Sequence, residues 1–340
     1  MKDRAKFTLH WTVFQSALCW KINLALLAAV LHADSPQTCA PCHPRQTKAF
    51  QSAGMTAALM PAQSSNLLKQ ASPLSTKLGA YSYTIHTSGG TAIYTVTDGH
   101  ETLRIPLEWA FGQGATGQTY LYQREGRWYE SMVSYYKALG GLDVTLGNQS
   151  LTPRNLQEAA GRLTTAREAA QCFACHATNS GPAMIPGIQC ERCHGSSESH
   201  LSASRQPMKR LEKLATEETS DFCGQCHRTW NDVAANGPRG ILNVRFQPYR
   251  LASSKCYDAA DKRISCTTCH DPHKTVETSA RAYDVKCLAC HTAKLTRHIC
   301  KVATTDCVTC HMPKLELPGA HKKFADHRIR IVKANQLYPD

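Results

Sequence analysis

Fourteen of the seventeen cysteines in this chain of 340 residues occur in pairs whose members are separated by two residues. A histidine directly follows the second cysteine of all seven pairs. Two thiols at this spacing can both form thioether bonds to one porphyrin, and the imidazole that follows can bind the iron. The pattern therefore indicates covalent attachment of c-type haem. The seven motifs are Cys39/Cys42/His43, Cys172/Cys175/His176, Cys190/Cys193/His194, Cys223/Cys226/His227, Cys266/Cys269/His270, Cys287/Cys290/His291 and Cys307/Cys310/His311.

Zinc binding is the main alternative interpretation of closely spaced cysteine pairs. A tetrahedral zinc site joins two such pairs and does not need a histidine at the next position. Here the number of pairs is odd, and the histidine is present every time. The sequence therefore predicts seven covalently bound haems, each with a cysteine pair and a proximal histidine.

The second axial ligand of each iron decides what the haem can do. An iron bound on both sides is typically an electron carrier, whereas an iron with one open side can bind a substrate. Seven histidines lie outside the motifs and beyond the first 33 residues, so one is available for each haem. They are His86, His100, His200, His273, His298, His321 and His327.

Two of these histidines follow a motif too closely to reach the far side of their own haem. His200 lies six residues after His194, and His273 lies three residues after His270. We therefore expect both to bind irons of adjacent, stacked haems.

The remaining candidates differ in their local sequence. His321 and His327 follow the last motif and are predicted ligands, and the predicted set also includes His86 and His298. His100 lies in a predicted turn and is the weakest candidate.

The distal ligand of the first haem stays open between a histidine and a methionine. Methionine is another axial ligand of c-type haem, and Met55 lies twelve residues after His43 on a predicted helix. His86 is the histidine alternative for this site.

Residues 1–33 are predicted to be an export signal. Lys2, Arg4 and Lys6 precede an apolar run at 22–33 that ends in small residues. The run is shorter than the ~20 residues that a membrane-spanning helix needs. We expect a periplasmic or extracellular protein that is soluble or peripherally associated with a membrane.

The uneven distribution of the motifs predicts two regions after this signal. The first motif stands alone in an N-terminal haem-1 region, 34–150, and six motifs crowd into a cytochrome domain, 151–340. Because haem must supply much of the buried surface there, we expect a mainly α and irregular multihaem array with few strands. Helices are predicted at 154–171 and 205–218.

A small antiparallel β segment is predicted only near residues 80–137. β-Branched and aromatic residues alternate there with polar ones, between Gly-Gly and Asp-Gly turns. This segment either covers the first haem or offers Trp128, Tyr129 and Tyr135 as an exposed docking surface.

Charge and the remaining cysteines complete the predictions from composition. Lys and Arg outnumber Asp and Glu by 13, which we interpret as compensation for haem propionates rather than as a nucleic-acid surface. Cys256 and Cys300 lie outside the motifs, and two leftover thiols in an oxidising compartment are expected to form a disulfide.

Several stretches of the chain resemble bacterial multihaem c-type cytochromes of the cytochrome c-554-like, doubled C-x-x-C-H group. They are CAPCHPRQTKAFQSAGM, CERCHGSSESH, CYDAADKRISCTTCHDPH and CVTCHMPKLELPGAHKKFADHRIRI. The resemblance implies stacked and perpendicular haem pairs with mainly bis-histidine ligation. It also implies that His200, His273, His321 and His327 are distal ligands, and that Cys256 and Cys300 are regular features of the group.

The leading expectation is an exported electron-transfer protein with seven closely packed, mostly bis-histidine haems. Its partners would be redox proteins, such as a membrane-bound quinol dehydrogenase or a terminal reductase. The alternative is an oxidoreductase that acts on a small nitrogen or sulfur compound at a five-coordinate haem. The number of irons with two protein ligands distinguishes the two functions.

Overall fold

The computed structural model describes residues 36–71, 73–181, 184–259, 261, 263–292, 300–333, 335, 336, 338 and 339. The predicted export signal, 1–33, and the predicted ligand His298 lie outside the described residues. None of the helices in the described ranges combines the length and the apolar character that a membrane crossing requires.

Fifteen β-strands occur in the described part of the chain, so the prediction of a mainly α and irregular fold with few strands is wrong. They form four sheets, of seven, four, two and two strands. In chain order the strands are β1 (Leu59–Pro61), β2 (Leu74–Leu78), β3 (Tyr81–Ser88), β4 (Thr91–Thr97), β5 (Thr102–Pro106), β6 (Trp109–Phe111), β7 (Gly117–Arg124), β8 (Arg127–Ser131), β9 (Val133–Tyr136), β10 (Gly141–Val144), β11 (Gly161–Leu163), β12 (Ala177–Asn179), β13 (Ile185–Pro186), β14 (Lys314–Leu317) and β15 (Lys322–Ala325).

The helices are short, and most of them lie in the region of the six crowded motifs. In chain order they are α1 (Pro36–Cys39), α2 (Pro44–Phe50), α3 (Asn66–Gln70), α4 (Leu156–Ala160), α5 (Ala166–His176), α6 (Cys190–His194), α7 (Glu198–Leu201), α8 (Thr216–His227), α9 (Trp230–Asn236), α10 (Gln247–Ala252), α11 (Cys266–Cys269), α12 (Asp284–Leu288) and α13 (Cys307–His311).

The two larger sheets share one apolar core. Tyr83 on β3 and Tyr94 on β4 are buried there, and Tyr120 and Tyr122 enter the same core from β7. β-Structure therefore covers the predicted segment at 80–137 and extends from residue 59 to residue 163. The prediction of few strands failed because this region builds a conventional core from its own side chains.

The aromatic residues suggested as an exposed docking surface are largely occupied by packing. Tyr129 is buried and stacks on Tyr122, with ring centres 5.5 Å apart. Trp128 packs edge-on against Phe173 of α5 at 5.4 Å, and Tyr135 packs against the large core. Of the two alternatives for this segment, the one with these three side chains as an exposed surface is therefore not supported.

The predicted helix at 154–171 is divided into α4 and α5 by strand β11. Gly161 causes the break, because its φ of +152° is a conformation that other residues rarely adopt. A Cβ atom at this position would lie 2.1 Å from the carbonyl oxygen of Glu130. Only glycine allows β11 to approach β8 so closely.

The helix predicted at 205–218 does not form over most of that range. Lys209 instead pairs with the third motif, because its amide donates to the carbonyl oxygen of His194 at 3.1 Å and its carbonyl oxygen accepts from His194 Nδ1 at 2.8 Å. Helix α8 begins only at Thr216 and then carries the fourth motif.

Several contacts join the segment of the first motif to the region of the other six. The carbonyl oxygen of Met55 accepts the amide of Ile188 at 3.0 Å. The hydroxyl of Thr275 donates to the carbonyl oxygen of Ser52 at 2.7 Å. The first motif therefore packs beside segments that carry the third and fifth motifs.

Candidate functional site

The motifs lie on or at the end of short helical turns. Helices α5 and α8 end at their motif histidines, and α6 and α13 run from the first cysteine to the histidine. In the first motif the amide of His43 donates to the carbonyl oxygen of Cys39 at 2.9 Å, and the fifth and sixth motifs repeat this bond. Residues three and four positions apart share one face of a helical turn, so the thiols and the imidazole of a motif can serve one haem.

Three motif histidines in the described part of the chain face a histidine from another segment. An imidazole nitrogen binds a metal ion at about 2 Å and lies about 1.1 Å from its ring centre, so two histidines on opposite sides of one iron have ring centres about 6.3 Å apart. The observed pairs are His43–His200 at 6.5 Å, His194–His273 at 6.0 Å and His270–His327 at 6.2 Å. These separations fit one iron between the two rings of each pair.

Six described members of the predicted attachment set lie at exposed positions: Cys42, His43, His227, Cys269, His291 and Cys310. The thiols of Cys42 and Cys310 are exposed, whereas Cys39 and Cys307, which open the same two motifs, are partly buried. His291 is exposed as well, and the facing pairs found between described histidines do not include it.

The local turns of these exposed residues are nevertheless formed. The amide of His291 donates to the carbonyl oxygen of Cys287 at 2.9 Å. The amide of Cys42 donates to the carbonyl oxygen of Cys39 at 3.3 Å. Cys310 Sγ lies 3.8 Å from the hydroxyl oxygen of its neighbour Thr309. Motif spacing sets such a turn, but burial depends on segments that are distant in sequence. The roles of the exposed motif residues in haem attachment stay predictions.

Hydrogen bonds on the outer ring nitrogen leave the other nitrogen available to a metal ion. A carbonyl oxygen can only accept, so an Nδ1 atom bonded to it carries the proton and Nε2 keeps its lone pair. Metal-ligating histidines commonly have such an outer partner. The Nδ1 atoms of five histidines lie 2.8–3.0 Å from backbone carbonyl oxygens: His176, His194, His200, His311 and His327.

Two further histidines use side chains as the outer partner. His273 Nδ1 lies 3.1 Å from Asp271 Oδ1, which gives this imidazole an anionic acceptor. His270 Nδ1 lies 3.4 Å from the hydroxyl oxygen of Tyr283, and that hydroxyl donates to the carbonyl oxygen of Glu277 at 2.9 Å. The tyrosine oxygen therefore accepts the proton of His270.

Burial keeps several of these imidazoles neutral, which is the form that binds a metal ion. Burial lowers the pKa of His176 and His270 below the usual value. It lowers the pKa of His327 to about 4. The carbonyl bond to Ala325 opposes this effect only in part.

The facing pairs follow a regular order along the chain. His200 follows the third motif and faces the first, and His273 follows the fifth motif and faces the third. His327 follows the seventh motif and faces the fifth. In each pair, the histidine of one motif therefore faces a histidine from the segment that follows the second motif after it in the sequence.

The motif thiols show which sites are neighbours. Some thiols of different motifs lie close enough to shift one another's pKa: those of the second and fourth motifs, of the fourth and fifth, and of the sixth and seventh. These pairs are Cys175–Cys226, Cys223–Cys266 and Cys287–Cys307. The attachment points thus follow one another through the domain at short distances.

A buried arginine near the fourth motif fits the carboxylates of haem. Arg245 is partly buried, and its Nε atom has no hydrogen-bond partner among the described residues. Burial lowers the pKa of Arg245, and the neighbouring Arg228, which follows His227, lowers it further. Two close cations of this kind require an anion, and a haem propionate would supply one. The histidine pairs and this arginine together fit c-type haem.

The structure places the other candidate ligands away from such pairs. His321 Nε2 lies 2.7 Å from Asp143 Oδ2, and its ring packs edge-on against Tyr136 at 4.8 Å. His86 lies on β3 opposite Ile93 of β4. His100 lies at an exposed turn between β4 and β5.

At the first motif, the structure brings His200 to His43. Met55 lies in a short turn at Gly54–Ala57, where its backbone bonds to Ile188. The structure therefore offers a histidine that the sequence had associated with an adjacent haem, in place of Met55 or His86. The ligand set as a whole stays a prediction.

The expected disulfide between Cys256 and Cys300 is not formed, and both thiols are free. Cys256 is half-buried near Cys287 and Cys290 of the sixth motif, whose charges would raise its pKa further after burial. Cys300 is exposed. The two residues thus differ in environment, and proximity to motifs in the sequence did not imply a pair.

Sequence reasoning missed the residues that support the axial histidines. Asp271 lies between His270 and His273 in the stretch CHDPH, and a carboxylate two residues from a candidate ligand is a signal that could have been used. Nothing local marks Tyr283, because its contact with His270 depends on how the chain folds.

Comparisons with known proteins agree with this site. Residues 145–195, which contain the second and third motifs, match the family described as cytochrome c554 and c-prime. The chain is 28% identical over 148 residues to the multiheme cytochrome MtrA of Shewanella baltica (strain OS185). The alignment covers 40% of this chain and 39% of that protein, so the chain spans well under half of this relative. No solved structure matches significantly.

Proposed function

We propose that this chain, a multihaem c-type cytochrome, is an exported electron-transfer protein with seven haems. The observation that carries the proposal is the set of three histidine pairs with ring centres 6.0–6.5 Å apart. An imidazole on each side of an iron leaves no position for a substrate. Such sites suit electron transfer better than catalysis.

The residues of the chain would hold each site in one geometry. When bound, haem supplies a one-electron iron couple. The outer bonds of His194, His200 and His327 to backbone carbonyl oxygens orient these rings before and after reduction. Thiols of the second and fourth motifs, and those of the fourth and fifth, are near enough to shift one another's pKa, which favours close spacing of these sites.

Export is consistent with this function, because an exported chain would meet its redox partners outside the cytoplasm. The predicted signal at 1–33 is the basis for a periplasmic or extracellular location. Redox proteins are the proposed partners, and a membrane-bound quinol dehydrogenase or a terminal reductase would fit this location.

A second function is favoured by the contact of His321. Its Nε2 atom is bonded to Asp143, so one histidine counted as a distal ligand is engaged elsewhere. A haem that lacks this ligand would have an open side. The chain would then be an oxidoreductase for a small nitrogen or sulfur compound.

Electron paramagnetic resonance of the oxidised protein tests both functions. The protein would be produced with its haems attached, and intact mass would count them. Seven haems with only low-spin ferric signals are expected for the carrier. A strong high-spin signal that changes on addition of nitrite would contradict a pure carrier and favour the oxidoreductase.

Two histidine variants make the test specific to the observed pairs. His200→Ala should convert one haem per chain to the high-spin form, because His43 would lose the facing ring. The matched control is His100→Ala, which removes an exposed turn histidine and should change no haem signal. Equal spectra for the two variants would refute the pairing.

A further inference from the structure

We infer that Arg250 is a positioning residue that fixes axial histidines at two haem sites by holding one segment, residues 326–330. The inference rests on the proposed function, because it names what orients the ligands of the fifth and seventh sites. Arg250 itself touches neither motif histidine in the described contacts. It acts through Asp326 and the backbone that follows.

Arg250 makes a fully buried, two-point ion pair with Asp326. Its Nε atom lies 2.9 Å from Oδ1 and its Nη2 atom lies 3.1 Å from Oδ2, and both side chains are 0% exposed. The remaining nitrogen, Nη1, donates to the carbonyl oxygen of Pro339 at 2.8 Å. The guanidinium also lies 4.5 Å from the ring centre of Tyr338. A bidentate arginine pair of this kind fixes both position and orientation.

The segment that Arg250 holds is described throughout and has no helix or strand of its own. Additional bonds reach it from the same side of the fold. Ser254, just after α10, donates its hydroxyl to the carbonyl oxygen of His327 at 2.9 Å and accepts the amide of Ile329 at 2.8 Å. Asp326 also accepts the amide of Arg328 at 3.0 Å. The two ends of the stretch also form backbone bonds, from the amide of Asp326 to the carbonyl oxygen of Pro313 at 3.0 Å and from the amide of Arg330 to that of His311 at 3.2 Å. Side-chain bonds alone join the stretch to α10 and Ser254.

Two haem sites depend on the position of this segment. His327 faces His270 of the fifth motif, with ring centres 6.2 Å apart. Three residues later, the carbonyl oxygen of Arg330 accepts Nδ1 of His311, the motif histidine of the seventh site, at 2.9 Å. One clamped segment thus supplies the distal ligand at one site and the outer partner of the proximal ligand at another.

Loss of the arginine would release the segment and leave a buried carboxylate. Arg330 Nη1 also bonds to Asp326, but its Nε atom has no partner among the described residues, and it belongs to the segment itself. It cannot anchor the segment to α10. Removing one member of a buried ion pair is strongly disruptive because the other charge stays buried without its partner.

The test compares Arg250→Met with Arg263→Met in the haem-loaded full chain. Arg263 also forms an ion pair, with Asp261 at 2.6 Å, but its side chain is 74% exposed. In Arg250→Met we expect about one haem per chain to change from low-spin to high-spin, with imidazole added to the buffer restoring the low-spin signal. Arg263→Met should match the unmodified protein. A low-spin spectrum and unchanged potentials in Arg250→Met would overturn the inference.

A milder variant covers the case in which Arg250→Met does not fold. Ser254→Ala removes only the two bonds to His327 and Ile329, and should give a smaller high-spin fraction that imidazole also reverses. An unchanged spectrum for Ser254→Ala would then count against the clamp. A high-spin fifth haem in the unmodified protein would contradict the proposed bis-histidine ligation itself. A low-spin fifth haem that Arg250→Met leaves unchanged would contradict only the role of Arg250. The two results therefore distinguish failure of the proposed function from failure of this inference.

Discussion

Replacing Asp271 with asparagine should raise the reduction potential of one haem, the one between His194 and His273. Asp271 Oδ1 lies 3.1 Å from His273 Nδ1, so the imidazole is hydrogen-bonded to an anion. A carboxylate partner makes the ring a stronger donor and places a negative charge near the iron. Both effects favour the ferric state, and asparagine would remove the charge while keeping an acceptor oxygen.

The size of the shift follows from distance and exposure. The iron would lie about 7 Å from the carboxylate, across one imidazole ring. The two side chains are 35% and 44% exposed, and Lys274 lies 3.2 Å from Asp271, so the charge is well screened. With an effective dielectric constant of about 40, the interaction is about 1 kcal/mol, or ~40 mV for one electron.

Spectroelectrochemical titration of the haem bands measures this shift. One component should move to higher potential by ~40 mV, and the change should shrink as ionic strength rises. Asp98→Asn is the matched control, because Asp98 accepts backbone amides in an exposed turn between β4 and β5. A titration curve for Asp271→Asn that superimposes on that of the unmodified protein would refute the reasoning, as would a shift to lower potential.

Two further predictions concern one ligand partner and one backbone contact. Tyr283→Phe removes the hydrogen-bond acceptor of His270 Nδ1 and should raise the reduction potential of the fifth haem. The rise should be smaller than for Asp271→Asn, because this bond is long, at 3.4 Å, and its acceptor is uncharged. The same spectroelectrochemical titration measures this shift. Gly161→Ala should lower the melting temperature, since the new Cβ would lie 2.1 Å from the carbonyl oxygen of Glu130. Gly141→Ala, whose nearest neighbouring atom is 3.8 Å away, is the control, and equal melting temperatures would contradict the steric explanation.

The attachment sites could be found from the sequence because their chemistry is local. Two thiols and an imidazole must lie within five residues to serve one haem, so the spacing alone marks them. The sequence predicted that His200 and His273 bind haems other than those of the motifs they follow, but not which haems these are. Which haem each one faces depends on how distant segments fold, and the structure supplies that pairing.

Spacing does not predict how far a motif is enclosed by the rest of the chain. Cys42, Cys310 and His291 occupy the same motif positions as partly buried residues elsewhere, yet all three are exposed. The difference comes from the segments packed around each motif, and these are distant in sequence.

The fold was harder to predict because two different sources of stability operate in one chain. Alternation of apolar and polar residues correctly located strands β3 and β4, with Tyr83 and Tyr94 in the core. Helix propensity, in contrast, extended a predicted helix through Gly161, where the approach of β8 rather than local preference sets the backbone. The exposed aromatic surface also failed, because Tyr129 stacks on a core residue.

The order of the facing histidines offers a reason why short helices suffice in the region of the crowded motifs. Each pair joins residues that are far apart in sequence, such as His43 and His200 or His270 and His327. A bond to a shared iron closes a long loop, and closing long loops removes much of the conformational freedom of the unfolded chain. The pairs therefore act as cross-links where apolar packing is sparse. The sheets at 59–163 use side-chain packing instead, so haem loss should affect the two regions unequally.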